Sequence, residues 1–117
     1  MKNNVILDKS YKFAIRIIRL YLYLKKEKKE FELSKQIVRS GTSVSANVEE
    51  SIRGLSRKDF TAKMGIAYKE ARETKLWPRL LHDTDFISEA MFSSLLTDCE
   101  ELIKILTSIL ITTKKNS

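Results

Sequence analysis

Four cations, Lys12, Arg16, Arg19 and Lys26, recur at helical intervals near the start of the chain. On an α-helix that spacing puts them along one line, about 20 Å long at 1.5 Å per residue. Lys69, Arg72 and Arg79, with Lys75 beside them, follow a comparable line further on. Such rows can track successive phosphates, whose attraction is electrostatic and falls steeply with salt. The candidate nucleic-acid contacts are therefore Lys12, Arg16, Arg19, Lys26, Arg72, Lys75 and Arg79. An ordinary solvated helix face has the same spacing. Tyr11, Tyr21 and Tyr23 offer rings on which bases could stack, but Tyr11 and Tyr21 also fall on an apolar stripe, where packing competes.

Other chemistry is thinly represented. No Gly-rich phosphate loop, zinc signature or nucleophile elbow is present. Glu49-Glu50 and the i, i+3 pair Glu70 and Glu73 are the acidic groupings that invite a catalytic reading. Di-iron bundles need Glu-x-x-His pairs, and the single histidine, His82, does not stand three residues after a Glu. Pairing of these acids with Arg39, Arg53, Arg72 or Lys69 is the expectation. Cys99 is the one cysteine, so it forms no intramolecular disulfide, and its apolar helical surroundings predict burial. A structural zinc needs four Cys/His ligands. The expectation is a non-enzyme with no cofactor and no metal.

The formal charge of +7 is unevenly spread. Residues 1–29 carry nine Lys and Arg against Asp8 and Glu27, a net of +7, and residues 56–83 a net of +3. Residues 30–55 come to −1 and residues 84–117 to −2. Clustered positive charge is the usual footprint of a polyanionic partner. Apolar runs are broken by Arg16, Arg19 and Lys104 and fall short of the roughly 20 residues that span a bilayer. MKNNVILDKS lacks the apolar stretch of a signal peptide, so the expected compartment is the cytoplasm.

With 117 residues, one core is the expectation, and three Gly and one Pro favour long helices. The first segment, from about Val5 to Lys26, has two apolar stripes: Leu7, Tyr11, Ala14, Ile18 and Tyr21, then Phe13, Ile17, Leu20 and Leu24. That arc is wider than one bundle core needs, so the extra surface is expected to meet another subunit. A central helix flanked on both sides within one chain is the alternative. The second segment starts near Phe31 and ends at Ile52 or Gly54, with Leu33, Ile37, Val38, Val44, Val48 and Ile52 inward. Its middle has mediocre helix propensity, and Gly41 costs roughly 1 kcal/mol against Ala. Small residues offset this by admitting a neighbouring helix closely.

Ser56 and Asp59 resemble a capping box that starts the third segment. Phe60, Met64, Ala67, Tyr68, Ala71, Trp77, Leu80 and Leu81 mark its buried side. Pro78 predicts a kink, or a stop at Trp77 with a short turn around Leu80. The fourth segment runs from about Ser88 to Thr113, with Met91, Leu95, Cys99, Leu102, Leu106, Ile109 and Leu110 inward and Asp98, Glu100, Glu101 and Lys104 outward. Four long helices with short links predict an all-α, antiparallel up-down-up-down four-helix bundle, one domain over residues 1–117.

Particular residues also carry a resemblance. They are the run Arg39-Ser40-Gly41-Thr42-Ser43-Val44-Ser45-Ala46-Asn47-Val48-Glu49-Glu50, then Asp59-Phe60, then Lys69-Glu70-Ala71-Arg72-Glu73-Thr74 and Trp77. In these the chain resembles the small four-helix proteins encoded in 23S rRNA intervening sequences. The accessory variability proteins of diversity-generating retroelements look like relatives of that family. The likeness runs the chain's full length, with the first and fourth segments agreeing in pattern only. Pro78 departs from it, since an aliphatic residue usually follows the Trp. The resemblance implies a homopentameric ring with a basic surface suspected of binding RNA or DNA, sometimes beside a reverse transcriptase. Asn47, Glu50, Glu70 and Trp77 would then serve folding or ring assembly.

Three functional classes remain. One is a self-associating scaffold that binds nucleic acid, RNA foremost. Another is a protein-interaction scaffold recruiting an acidic partner, such as a reverse transcriptase or a ribosome-associated factor. The third, a basic amphipathic helix lying on anionic lipid, fits poorly because both sides of the first segment are needed for packing, so no membrane partner is expected.

Overall fold

The computed structural model describes residues 2–116, with side chains from Val5 onward. Five helical stretches follow one another: α1 (Lys2–Lys26), α2 (Glu32–Ile52), α3 (Arg57–Thr74), α4 (Leu76–Asp83) and α5 (Glu89–Lys115). Because α3 and α4 are joined through Lys75, which itself keeps helical φ and ψ of −65° and −29°, they form one interrupted arm. The result is a four-helix bundle of 46 × 21 × 20 Å. Along α1 and α5 the pairs Lys9–Glu101 and Arg16–Asp98 run in opposite senses, as an antiparallel arrangement requires.

Pro78 interrupts the third arm where proline chemistry acts rather than where the residue stands. It lacks an N–H for the carbonyl of Thr74 and its ring crowds that carbonyl, so regular helix lapses one turn upstream, at Lys75. Helix resumes at Leu76 and carries through Trp77 to Asp83, so the interruption by Pro78 is confined to Lys75 and the alternative stop at Trp77 does not occur. Thr74 is fully buried beside Lys75; its hydroxyl donates to Glu70 O at 2.6 Å and shares a 3.0 Å hydrogen bond with the Ser40 hydroxyl.

One core runs through the bundle, with Ile6, Ile17 and Leu24 of α1, Ile37, Val44 and Val48 of α2, Met64 of α3, Leu81 of α4, and Leu95, Leu102 and Leu106 of α5. Ile52 and Leu80, expected inward, are 40% and 37% exposed. Each stands beside a buried neighbour, Ser51 and Leu81, so it is the side of the helix and not the position along it that leaves them exposed. α2 is continuous despite its polar middle because that middle is the close-packed part. Ser40, Gly41 and Ser45 are buried. A Cβ built on Gly41 would come within 2.9 Å of Ile17 Cγ1 and Cγ2. Thr42 Oγ1 donates to Val38 O and Asn47 Nδ2 to Ser43 O, so the polar side chains are satisfied within the helix.

The helix ends are capped in three ways. Ser56 Oγ accepts from Asp59 N at 3.0 Å, which is the expected half of the capping box, and Ser88 Oγ accepts from Met91 N at 3.1 Å. α2 instead starts on Glu30, only 8% exposed, whose carboxylate accepts from the N–H groups of Glu32, Leu33 and Ser34 at 3.1, 2.8 and 2.7 Å. An anion there also complements the positive end of the helix dipole. α4 ends in a left-handed turn at Asp85, φ 69°, with Phe86 N donating to Leu81 O and Asp85 N to His82 O.

Candidate nucleic-acid interface

α1 presents its cations toward solvent because its core side is already occupied by Phe13, Ile17, Leu20 and Leu24. Lys12 is exposed and pairs with Asp8 one turn back at 3.1 Å. Arg16 reaches sideways to α5, where Nη1 donates to Asp98 Oδ2 at 2.6 Å and Ser94 O at 3.2 Å. Arg19 is exposed and, with Arg16, rims a groove floored by Leu20, Tyr23, Met91 and Leu95. Lys26 is exposed at the end of α1 and lines none of these grooves.

The second row lies on the interrupted arm. Arg72, Lys75 and Arg79 converge with Leu76 and Ile103 on one groove of about 330 Å³ between the arm and α5. Arg72 stacks over the Tyr68 ring, 5.7 Å from its centroid, and donates to the phenol oxygen at 2.9 Å. Lys75 pairs with Glu100 at 3.5 Å, while Arg79 is exposed and in no ion pair among the described residues. Lys69, on the same expected line, is exposed but outside this groove.

The two rows do not merge. α5 runs between them and supplies carboxylates to both flanks: Asp98 to Arg16, Glu101 to Lys9 at 3.3 Å, and Glu100 to Lys75. The sequence marks these acids as outward-facing, yet their cation partners lie 25 to 92 residues away and no local spacing announces them. Exposed ion pairs of this kind are weak, so a phosphate can displace the carboxylate.

Of the tyrosines, Tyr11 is 56% exposed, Tyr21 sits under Lys25 Nζ at 4.8 Å, and Tyr23 is half-buried in the α1–α5 groove. Of the first apolar stripe of α1, Tyr11 and Ile18 are 56% and 43% exposed, Leu7 and Tyr21 are half-buried and Ala14 is buried; Leu22, beside that stripe, is 56% exposed, while the second stripe is core. The surplus apolar surface is thus located on the outside of α1.

Glu70 and Glu73 both pair with Arg39, which ties α2 to α3. Among the described residues no group of three or more His, Cys, Asp or Glu side chains gathers as a metal site. His82 stacks on Phe92 with centroids 4.7 Å apart and lies between Asp83 and Glu89. Cys99 is buried, donates to Ala71 O at 3.2 Å, and has its pKa pushed up to about 12, chiefly by burial. Its thiol is therefore inert near neutral pH. No helix among the described residues is long and apolar enough to cross a membrane.

The residues behind the resemblance have mostly structural roles here. Ser40, Gly41, Val44, Ser45 and Val48 make the α2 seams, and Asn47 and Glu70 bond within them, whereas Glu49 and Glu50 are exposed. No curated protein matches the chain. A solved structure of a protein with unknown function from the S23 ribosomal protein family of Bacteroides thetaiotaomicron VPI-5482 is 49% identical to it. The two superpose with a TM-score of 0.92, covering 94% of this chain and 98% of that one. The model of the 23S rRNA-intervening sequence protein family matches residues 2–108. The chain belongs to the 23S rRNA-intervening sequence protein family.

Proposed function

We propose that the protein is a non-catalytic homo-oligomeric scaffold, pentameric by resemblance to its relatives, that binds RNA through basic helix faces. The observation that carries the RNA reading is the convergence of Arg72, Lys75 and Arg79 on one groove with an apolar floor. Cations at the rim suit a phosphodiester backbone, and Leu76 and Ile103 suit the face of an unpaired base. Self-association is supported by the bare row Tyr11, Ile18 and Leu22, surface that water disfavours. An acidic protein segment with apolar anchors would fit the same groove, which keeps a protein-recruiting scaffold as the second reading.

RNA anisotropy across a salt series, on nuclease-treated protein of mass known from light scattering, tests the first reading. The expected result is binding by a multi-subunit species that collapses as salt rises, and that Arg72→Glu with Arg79→Glu weakens without loss of helicity. No binding at low salt sinks the RNA reading. A monomeric mass sinks the scaffold.

A further inference from the structure

The two ends of the bundle differ in charge, and this difference is assembled only by the fold. At one end α1 and α4 finish and α2 and α5 begin. Its side chains are Lys25, Lys26, Lys28, Lys29 and Lys35, against Glu27, Glu30, Glu32, Asp83, Asp85 and Glu89. At the other end α2 and α5 finish and α3 begins. There Arg53, Arg57, Lys58, Lys114 and Lys115 face Glu49, Glu50 and Asp59 among the described side chains. Arg53, Lys114 and Lys115 come from sequence segments of net negative charge, so no linear tally reveals the cluster.

Contacts bring Arg57, Lys58 and Lys114 onto one surface, while Arg53 and Lys115 share that end by their place at the finish of α2 and α5. The Arg57 guanidinium donates to Asn116 O, which joins the start of α3 to the end of α5. Arg57, Lys58 and Lys114 line a single groove of about 580 Å³ with Thr61, Ala62 and Thr113. Lys58 and Lys115 are exposed and in no ion pair among the described residues. On the flanks of α5, by contrast, Lys12, Arg16 and Lys75 are already paired with carboxylates. Among the described residues a phosphate reaching Lys58 or Lys115 displaces no carboxylate, whereas one reaching Lys12, Arg16 or Lys75 does. The end is about 20 Å across, room for several phosphates of one strand.

We infer that this basic end, built by Arg53, Arg57, Lys58, Lys114 and Lys115, is the principal contact for a nucleic-acid phosphodiester backbone. The inference rests on the proposed RNA reading and moves its main contact from the helix faces to one end of the bundle. A fluorescently labelled single-stranded RNA of about 20 nucleotides, titrated from about 50 to 300 mM salt, is the probe. Lys58→Glu with Lys115→Glu is compared with Arg72→Glu with Arg79→Glu, and circular dichroism and light scattering confirm that fold and mass are kept. The end variant is expected to bind on the order of tenfold more weakly at low salt and to lower the salt slope by about 1.4, the loss of two contacts to a single strand. The flank variant is expected to lose less. Wild-type binding that the end variant retains in full overturns this inference and leaves the RNA reading standing. No binding by the wild type overturns both.

Discussion

Between α1 and α2, Gly41 brings the backbone so close that a single added carbon would press on Ile17. Along α5, open grooves with charged rims border its contacts with α1 and with the interrupted arm. Ion pairs to Lys9, Arg16 and Lys75 bridge that side instead. The two regions divide the labour. The α2 seams exclude water through small side chains and dispersion contact, which is dense and intolerant of change. The α5 flanks leave side chains able to exchange partners, which a binding surface needs. Stability is expected to respond to substitutions on the first side, and ligand affinity to substitutions on the second.

The hardest test of that division is Gly41. Alanine gains about 1 kcal/mol of helix propensity. It also sets a methyl 2.9 Å from two carbons of a β-branched side chain held by the core. Overpacking costs typically 1–3 kcal/mol. Gly41→Ala is therefore expected to destabilise the bundle by up to about 2 kcal/mol and Gly41→Val by about 3 kcal/mol. Denaturant melts measure this. An unchanged or raised midpoint for Gly41→Ala would show that the seam has slack and would dissolve the contrast.

The seam was legible in the sequence and the flanks were not, for physical reasons. Helical periodicity is a local property, so the four arms, the inner stripe of α1 and the Ser56 cap follow from spacing. So does the interruption of the third arm, although it lies a turn before Pro78, because proline acts on the carbonyl four residues back. The small residues of α2 signalled close approach, which Gly41 delivers. Glu30 gave no such signal, since a carboxylate ahead of the cap position reaches three N–H groups only once the link folds back. Of the cation rows, Lys12, Arg19, Lys26, Arg72 and Arg79 are exposed, while Arg16 and Lys75 are half-buried in ion pairs to α5. Their neutralisation by α5 was invisible because it joins residues far apart in the chain, and the basic end was invisible for the same reason.

A smaller effect separates the regions at the link into α5. Asp85 holds φ 69° at the end of α4, a conformation glycine adopts without penalty. Asp85→Gly is expected to stabilise the protein by about 0.5–1 kcal/mol and to leave RNA affinity unchanged, because Asp85 lies at the end opposite the basic cluster. A thermal melt and one anisotropy titration suffice. A lowered midpoint would mean that the aspartate side chain contributes more than its backbone strain costs.

The smallest expected change in stability falls on Glu100, and it is the most informative about the flanks. Its carboxylate is half exposed and 3.5 Å from Lys75, a pair worth well under 1 kcal/mol in water. Glu100→Gln keeps the size and removes the charge, so the melting midpoint should barely move. If RNA phosphates and α5 carboxylates compete for the same cations, the substitution frees Lys75 and removes a repelling charge beside the Arg72–Arg79 groove. RNA affinity should then rise about threefold at low salt, with the gain vanishing as salt screens both partners. Equal affinity at every salt concentration would mean that no phosphate approaches this flank, and would confine binding to the basic end. A gain in stability without a gain in affinity would make the α5 acids a structural liability and not a competitor for ligand.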